Sequence, residues 1–319
     1  MCTFNVNGLN EKGGQKMRDL MKWATEKTLD VIFIQEHNLG INKHTKWRNV
    51  CRQHGYCIIH GIHAKKADMA VRAHRGATAL LLKMSTFKLT EHDSETQEST
   101  EGRLTCKKVI WKDMILPLVS MYVPVNPAAR KTFLKKISNN KRSIPPGAII
   151  GGDFNCVENI TFDTLKEDGG IYQNHHGGVV TTMMRRKKLS DVFRKIHGNT
   201  ARAYTRESAT VRTRLDRIYA QDQNSQIVWH SHELDNEHAK RINSDHVPVI
   251  VEAAQLGEPK SRKATSKSRI NTDILYEQET RREVLRILTK LKKDFKSCDR
   301  DIRENSYGKR SKNTHMNTS

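Results

Sequence analysis

Two hydrophobic patterns alternate along most of the chain. Short apolar runs mark strands at Cys2–Val6, Leu29–Gln35, Thr78–Lys83, Leu104–Trp111, Leu116–Pro124, Ala148–Asp153 and Val247–Ala253. Stretches of helical spacing lie between them. Met17, Leu20, Met21 and Ala24 share one face of Lys16–Thr28, and Ala128–Asn139, Val179–Leu189 and Asp191–Ile196 also read as helices. Arg202–Arg206 and Thr213–Ala220 read as paired strands, and Ser143–Pro146 as a turn. The polar, acidic stretch Thr86–Gly102 reads as a hairpin excursion or loop. Many strands with helices between them predict an α/β sandwich, two sheets covered by helices.

The pattern changes near Val251. Residues 1–254 make up the strand-and-helix unit, and residues 255–319 read as a basic linker, a helical segment and a disordered tail. Gly257–Ser268 is rich in Lys, Arg and Ser and carries Pro259, the composition of a flexible linker. Leu275, Val284, Leu285, Leu288 and Leu291 recur at helical spacing in Ile270–Phe295, and Gly308–Ser319 is polar throughout.

Charge adds a partner to this picture. Fifty-six Lys and Arg stand against 35 Asp and Glu, a net charge of +21. A polyanion is the simplest cause, nucleic acid first, although anionic membrane surfaces attract the same charge. No run approaches the roughly 20 apolar residues of a membrane span, so no membrane association is expected. The N-terminus lacks the charged-then-apolar order of a signal peptide. The six cysteines (Cys2, Cys51, Cys57, Cys106, Cys156 and Cys298) form no C-x-x-C pair and read as reduced thiols.

The chemistry sits where the strands end. Five polar segments each follow or open an apolar run: Phe4–Leu9, Ile34–His37, Gly151–Asn155, Arg214–Tyr219 and Ser244–Pro248. Side chains at the ends of adjacent strands can converge in one crevice of an α/β sheet. That crevice would hold the carboxylates of Glu36, Asp153, Asp216 and Asp245, the amides of Asn5 and Asn155, and His246. Such carboxylates cannot be left buried and unpaired, and their oxygens suit a hard cation, magnesium or manganese. The set suits attack of water on a phosphodiester, with a carboxylate orienting the water and a cationic histidine stabilising phosphoryl charge. Taken singly the segments are weak: Asn-x-Asn-Gly reads equally as a turn, Gln-Glu as a capped turn and Ser-Asp-His as a helix N-cap. Gly-Gly-Asp-Phe-Asn is more specific, because glycines allow a tight strand exit. His37, His44, His54, His60 and His63 show no usual metal spacing and read as unrelated.

In order, N-x-N-G (Asn5–Gly8), Q-E (Gln35–Glu36), Y-x-P (Tyr122–Pro124), G-D-F-N (Gly152–Asn155), R-L-D (Arg214–Asp216) and S-D-H (Ser244–His246) resemble the endonuclease/exonuclease/phosphatase superfamily. The resemblance spans nearly all of residues 1–253 and implies a four-layered α/β sandwich, two mixed β-sheets between outer helices. It implies that Asn5 and Glu36 hold the metal, with Asp245 assisting the metal or the histidine. Tyr122 would contact the scissile phosphate, Asp153 would activate water or the leaving group, and Asn155 would orient the phosphate. Asp216 would orient His246, which would touch the phosphate.

Further details are similar to the LINE (non-LTR retrotransposon) branch. They are Asn7 in the first motif, and Leu189-Ser190-Asp191-Val192-Phe193-Arg194 followed by His197 and Tyr204-Thr205. Arg269–Leu275 resembles the segment that leads toward a reverse transcriptase. That likeness implies a nuclear, magnesium-dependent nuclease of such an element, or a decayed copy of one. It would nick double-stranded DNA, leaving a 3′-hydroxyl for target-primed reverse transcription, with the element's RNA as a second partner. The alternatives are a repair endonuclease of the apurinic type, another phosphoesterase of this fold, or an inactive nucleic-acid-binding remnant. Arg206, Arg212 and Arg214 on a rim hairpin, with Arg185 and Arg186, are the expected DNA contacts. Arg206 stands where relatives commonly carry an aromatic, and Val125 separates Pro124 from Asn126 where many have Asn directly.

Overall fold

The structure, a computed structural model, describes residues 1–9, 14–40, 44–61, 76–90, 102–140, 143–166, 177–221 and 226–256, with 286 and 289. The chain divides into two compact units, Met1–Glu258 and Pro259–Ser319. In the second unit only Arg286 and Thr289 are described, both helical, so the expected linker and tail lie outside the described residues.

Period-two alternation in the strands builds two sheets with two faces each. The first sheet has the order β14 (Ile227–Leu234), β15 (Val249–Gln255), β1 (Cys2–Asn5), β2 (Val31–Gln35), β4 (Thr78–Lys83), β3 (Tyr56–His60). The second has the order β10 (Leu189–Asp191), β13 (Asp216–Gln221), β8 (Ile149–Asp153), β7 (Met114–Tyr122), β6 (Leu104–Trp111), β5 (Phe87–Leu89). Each sheet contains one parallel pair, β1 with β2 and β7 with β8. A parallel pair needs a crossover, and a helix supplies it in each case: α1 (Gln15–Glu26) and α3 (Pro127–Asn139). Asn126 caps α3 by accepting from Ala128 N and Ala129 N, with Pro127 behind it as the first helical residue.

Three apolar clusters define the layers. Ile32 and Ile34 of β2 face α1 and α2 (His44–Gln53), packing with Leu20, Met21, Trp23 and Trp47. Their neighbours Val31 and Phe33 face the other way and meet Leu118, Ile149 and Ile218 of the second sheet. Val119, Met121 and Ile150 face outward again, onto Phe133 and Leu134 of α3 and Met183 and Met184 of α5 (Gly177–Arg186). The layers therefore run helix, sheet, sheet, helix: the four-layered α/β sandwich.

Several elements differ from the sequence reading. Thr213–Ala220 does not run along Arg202–Arg206 as one paired strand; only Thr213 pairs, with Arg206. Instead β13 starts at Asp216 and lies between β8 and β10. Arg214 N donates to Asp163 O and Leu215 N to Thr205 Oγ1, so the two residues before Asp216 leave the ladder. A small third sheet, β11 (Arg206–Glu207), β12 (Val211–Thr213) and β9 (Thr164–Lys166), sits at the rim. Helix α5 ends at Arg186 rather than Leu189, because Lys188 turns to φ 55 and Leu189 opens β10. Helix α2, strands β3 and β14, and short helices α4 (Ile160–Asp163) and α7 (Asn236–Arg241) have no counterpart in the sequence reading, whereas α6 (Val192–His197) does. Within Thr86–Gly102, β5 forms an edge strand, and residues 91–101 lie outside the description. The five described cysteines are free thiols. No described helix is long and apolar enough to cross a membrane.

Gly151 sets how closely the sheets approach. A Cβ built there would lie 2.4 Å from the Phe33 ring. Gly151→Ala is expected to lower unfolding stability in urea by about 1–3 kcal/mol, the range for an overpacked core. Unchanged stability would mean that the sheets do not meet at this point.

Candidate active site

The register of the second sheet is what assembles the site. Tyr122 of β7 lies beside Asp153 of β8, and Asp153 lies beside Asp216 of β13. Three side chains thus stand in a row at one end of the sheet. The first sheet brings Asn5, paired with Gln35 in parallel β1 and β2, and Glu36 follows directly. Asn5 joins the two sheets: its Nδ2 donates to Glu36 Oε1 and to Asp153 Oδ2, both at 3.0 Å.

Tight turns aim these groups. Asn7 (φ 47), Glu36 (φ 53) and Asn155 (φ 48) all adopt left-handed backbone, which is uncommon outside glycine and especially so for Glu. Backbone bonds hold the turn at Glu36, with Gly8 N donating to Glu36 O at 2.8 Å and Leu9 N to His37 O at 2.9 Å. Asn155 is fixed at both ends, its N donating to Asp153 Oδ1 and its Nδ2 to Val123 O, each at 2.8 Å.

His246 completes the cluster. Its Nδ1 is 2.8 Å from Asp216 Oδ2, and its Nε2 is 3.8 Å from Asp153 Oδ2. Asp153, Asp216 and His246, all buried, offer ligand atoms within 4.8 Å of one another. Two residues without an assigned role hold this arrangement. Thr205 Oγ1 donates to Asp216 Oδ2 at 2.7 Å while accepting from Leu215 N and Asp216 N. Ser244 Oγ donates to Asn5 O at 2.8 Å and accepts from His246 N at 3.1 Å. Both stand inside segments already singled out, Tyr-Thr and Ser-Asp-His, but chain order alone gives no sign of the bonds they make.

Burial pushes the Asp153 carboxyl up to about 6, with His246 opposing the rise and Asp216 adding to it. Burial works against a charged His246, yet Asp216 and Asp153 outweigh it and raise the imidazole to about 9. Burial, reinforced by Glu36 and Asp153, holds the Tyr122 phenol well above its usual range, so it stays a neutral donor. Within this cluster the buried Asp216 Oδ1 has no hydrogen-bond partner. With Asp153 and His246 offering further ligand atoms within 4.8 Å, that unpartnered carboxylate oxygen fits the requirements of a divalent cation.

Other expected residues separate. Asp245 turns outward to Arg206, Oδ2 to Nε 3.0 Å, with both side chains more than two-fifths exposed. It is not grouped with Asp153, Asp216 and His246, but its charge helps to raise His246, the second of the two roles expected of it. Arg212 is half-buried and pairs with Glu207 at 2.9 Å, and Arg185 and Arg186 are exposed at the end of α5. Surface pairs of this kind are weak and can exchange for phosphate.

Arg214 corrects the rim expectation outright. It is 1% exposed, and its guanidinium meets Asp163 at 2.7 Å and Asp191 at 2.6 Å. It is a buried internal cation, out of reach of DNA. Arg194 also pairs with Asp163, so the Asp191 and Arg194 of the L-x-D-x-x-R run belong to one ion cluster. Among the five histidines, His37, His44 and His60 do come together, contrary to expectation. His44 stacks on His60 at 3.8 Å and His37 meets it edge-on at 5.3 Å. They form no candidate metal group among the described residues, and His63 lies outside them.

The architecture defines a class: a four-layered α/β sandwich with an oxygen-rich crevice at the strand ends. The sequence matches the model of the Endonuclease/Exonuclease/phosphatase family over residues 2–246, and the chain belongs to that family. No curated protein sequence gives a significant match. Solved structures show the same fold. One is similar to this chain at TM-score 0.58 and 19% identity, an AP endonuclease from Archaeoglobus fulgidus, matched over 79% of this chain and 97% of that one. Another is the endonuclease domain of TRAS1, a telomere-specific non-LTR retrotransposon, at TM-score 0.54 and 14% identity over 81% and 98%. A third is a variant of the 3′ phosphatase NExo from Neisseria bound to product DNA hairpin, at TM-score 0.57 and 15% identity over 79% and 98%.

The ion cluster gives the fold an acid limit. Burial opposes ionisation of Asp163, but Arg214 overcomes it and holds the carboxyl below its usual value of 3.8. A depressed carboxyl contributes stability that is present above the unfolded value and lost as pH falls through the folded one. Asp163→Asn is expected to cost about 3–5 kcal/mol at neutral pH, as for a buried charge stripped of its partner. In urea unfolding, the gap from wild type should shrink as pH falls below the usual carboxylate value. A gap independent of pH would remove the linkage.

Proposed function

We propose that this chain is a divalent-metal-dependent endonuclease that nicks double-stranded DNA, as the nuclease of a LINE-type element. The 3′-hydroxyl left at the nick would prime reverse transcription. The observation that carries this reading is the convergence of Asn5, Glu36, Asp153, Asp216 and His246 on one crevice, with Asp216 Oδ1 left unpartnered. The charge of +21 fits a polyanionic substrate, and the exposed Arg185 and Arg186, with the partly exposed Arg206 and Arg212, are cations available to its phosphates.

Glu36 and Asn5 would hold the ion, magnesium or manganese, beside Asp153. When bound, it supplies neutralisation of charge on the phosphoryl oxygens. Asp153, whose carboxyl burial raises above its usual range, would take the proton of the attacking water. His246, held protonated by Asp216, turns Nε2 toward the side where Asp153 lies and can donate to a phosphoryl oxygen. The neutral Tyr122 hydroxyl and the Asn155 amide are further donors for the same oxygens, fixed before substrate arrives.

The test uses the full chain with supercoiled plasmid and with intact and abasic duplexes, in magnesium and in EDTA. Magnesium-dependent open circles whose 3′-ends a polymerase extends are expected. Glu36→Gln and His246→Asn should each lower the rate by about 100-fold or more, while a gel shift still detects DNA binding. Cleavage confined to abasic duplex would move the assignment to a repair endonuclease. A folded protein that shifts DNA without nicking it would be a nucleic-acid-binding remnant.

A further inference from the structure

Arg130 has no role in the site as described, yet it ties two of its loops together. It lies in the first turn of α3, and it is 4% exposed. Nε donates to Pro124 O at 3.0 Å, and Nη2 donates to Val125 O at 2.9 Å and to Asn155 O at 2.8 Å. The first two carbonyls belong to the loop that leaves β7 after Tyr122. The third belongs to the turn that leaves β8 after Asp153.

These loops are linked again beside the guanidinium. Asn155 Nδ2 donates to Val123 O at 2.8 Å, and Val123 N donates to Asp153 O at 2.9 Å. Asn155 therefore sits between two fasteners: its side chain is held by Val123 and its carbonyl by Arg130. Its φ of 48 is a conformation that a side-chain-bearing residue leaves readily unless its backbone is pinned. Arginine suits the task because a planar fork reaches several carbonyls in fixed directions, whereas a lysine ammonium is a single point on a flexible stem. The buried cation is stabilised in turn by the oxygens that it collects.

We propose that Arg130 is a positioning residue, which fixes the Asn155 amide and the Tyr122 strand exit in register for the scissile phosphate. The proposal rests on the nuclease reading above for what Asn155 and Tyr122 do. Arg130 touches no reacting atom and acts through Asn155.

The experiment compares wild type, Arg130→Lys, Arg130→Gln, Asn155→Ala and the Arg130→Lys/Asn155→Ala double variant in magnesium-dependent nicking of duplex DNA. Melting temperature and amide hydrogen exchange are measured on the same proteins. Arg130→Lys should lower kcat by about tenfold or more, the scale of a displaced catalytic group, with KM within about twofold. In the Asn155→Ala background the same change should have no further effect. Exchange at residues 153–156 should quicken while the amides of β7 and β8 stay protected. Additive losses in the double variant would overturn the proposal, as would unchanged kcat or unfolding of both Arg130 variants. If wild type nicks no DNA, the nuclease reading fails, and the exchange pattern alone decides whether Arg130 clamps the Asn155 turn.

Discussion

Carboxylates at the end of a buried strand are expensive to keep, and the molecule is organised around keeping them. Asp153 and Asp216 are each 1% exposed and face one another across adjacent strands. Two such charges repel unless donors or cations lie between them. Asn5 answers from the opposite sheet with one amide shared between Asp153 and Glu36, and His246 answers from a distant part of the chain by lying between Asp153 and Asp216. The site is therefore also the place where the two sheets are tied at their edge. Any slip of register by one residue would turn Asp153 or Asp216 to the opposite face and undo the arrangement.

The supporting structure follows the same logic of buried polar groups provided with partners. Gly151 removes a side chain so that Phe33 can close the gap between sheets just before Asp153. Thr205 gathers two backbone amides and a carboxylate oxygen, which keeps Leu215 out of β13 and sets the aim of Asp216. Arg214, two residues earlier, is drawn inward by Asp163 and Asp191. It anchors the run into Asp216 from behind, while the partly exposed arginines of β11 and β12 remain on the rim.

Much of this is legible in the chain. The apolar runs ending in Asn5, Glu36 and Asp153 locate three strand ends, because central strands buried on both faces are written as continuous apolar residues. The pairing of those ends is not legible from periodicity, since register depends on contacts between distant residues; the motif order carries it instead. Edge elements escape for a related reason. β14 is mostly half-buried and carries an irregularity between Trp229 and Ser231, which breaks its alternation. Arg214 reads as surface because it stands among other charged residues, and its two carboxylate partners, Asp163 and Asp191, are remote in sequence. Asp245 is placed at the metal or the histidine by its motif, and the pairing of its side chain with Arg206 has no sign in chain order.

The proposed chemistry requires Glu36, Asn5 and the unpartnered oxygen of Asp216 to belong to a single divalent-cation crevice. Titrating the full chain with Mn2+ and following water proton relaxation tests this without reference to turnover. Saturable binding is expected, weakened by about tenfold or more in Glu36→Gln and in Asp216→Asn, the range for losing a ligand or its support. Wild-type affinity in both folded variants would contradict the claim and leave the crevice as a hydrogen-bonded strand junction.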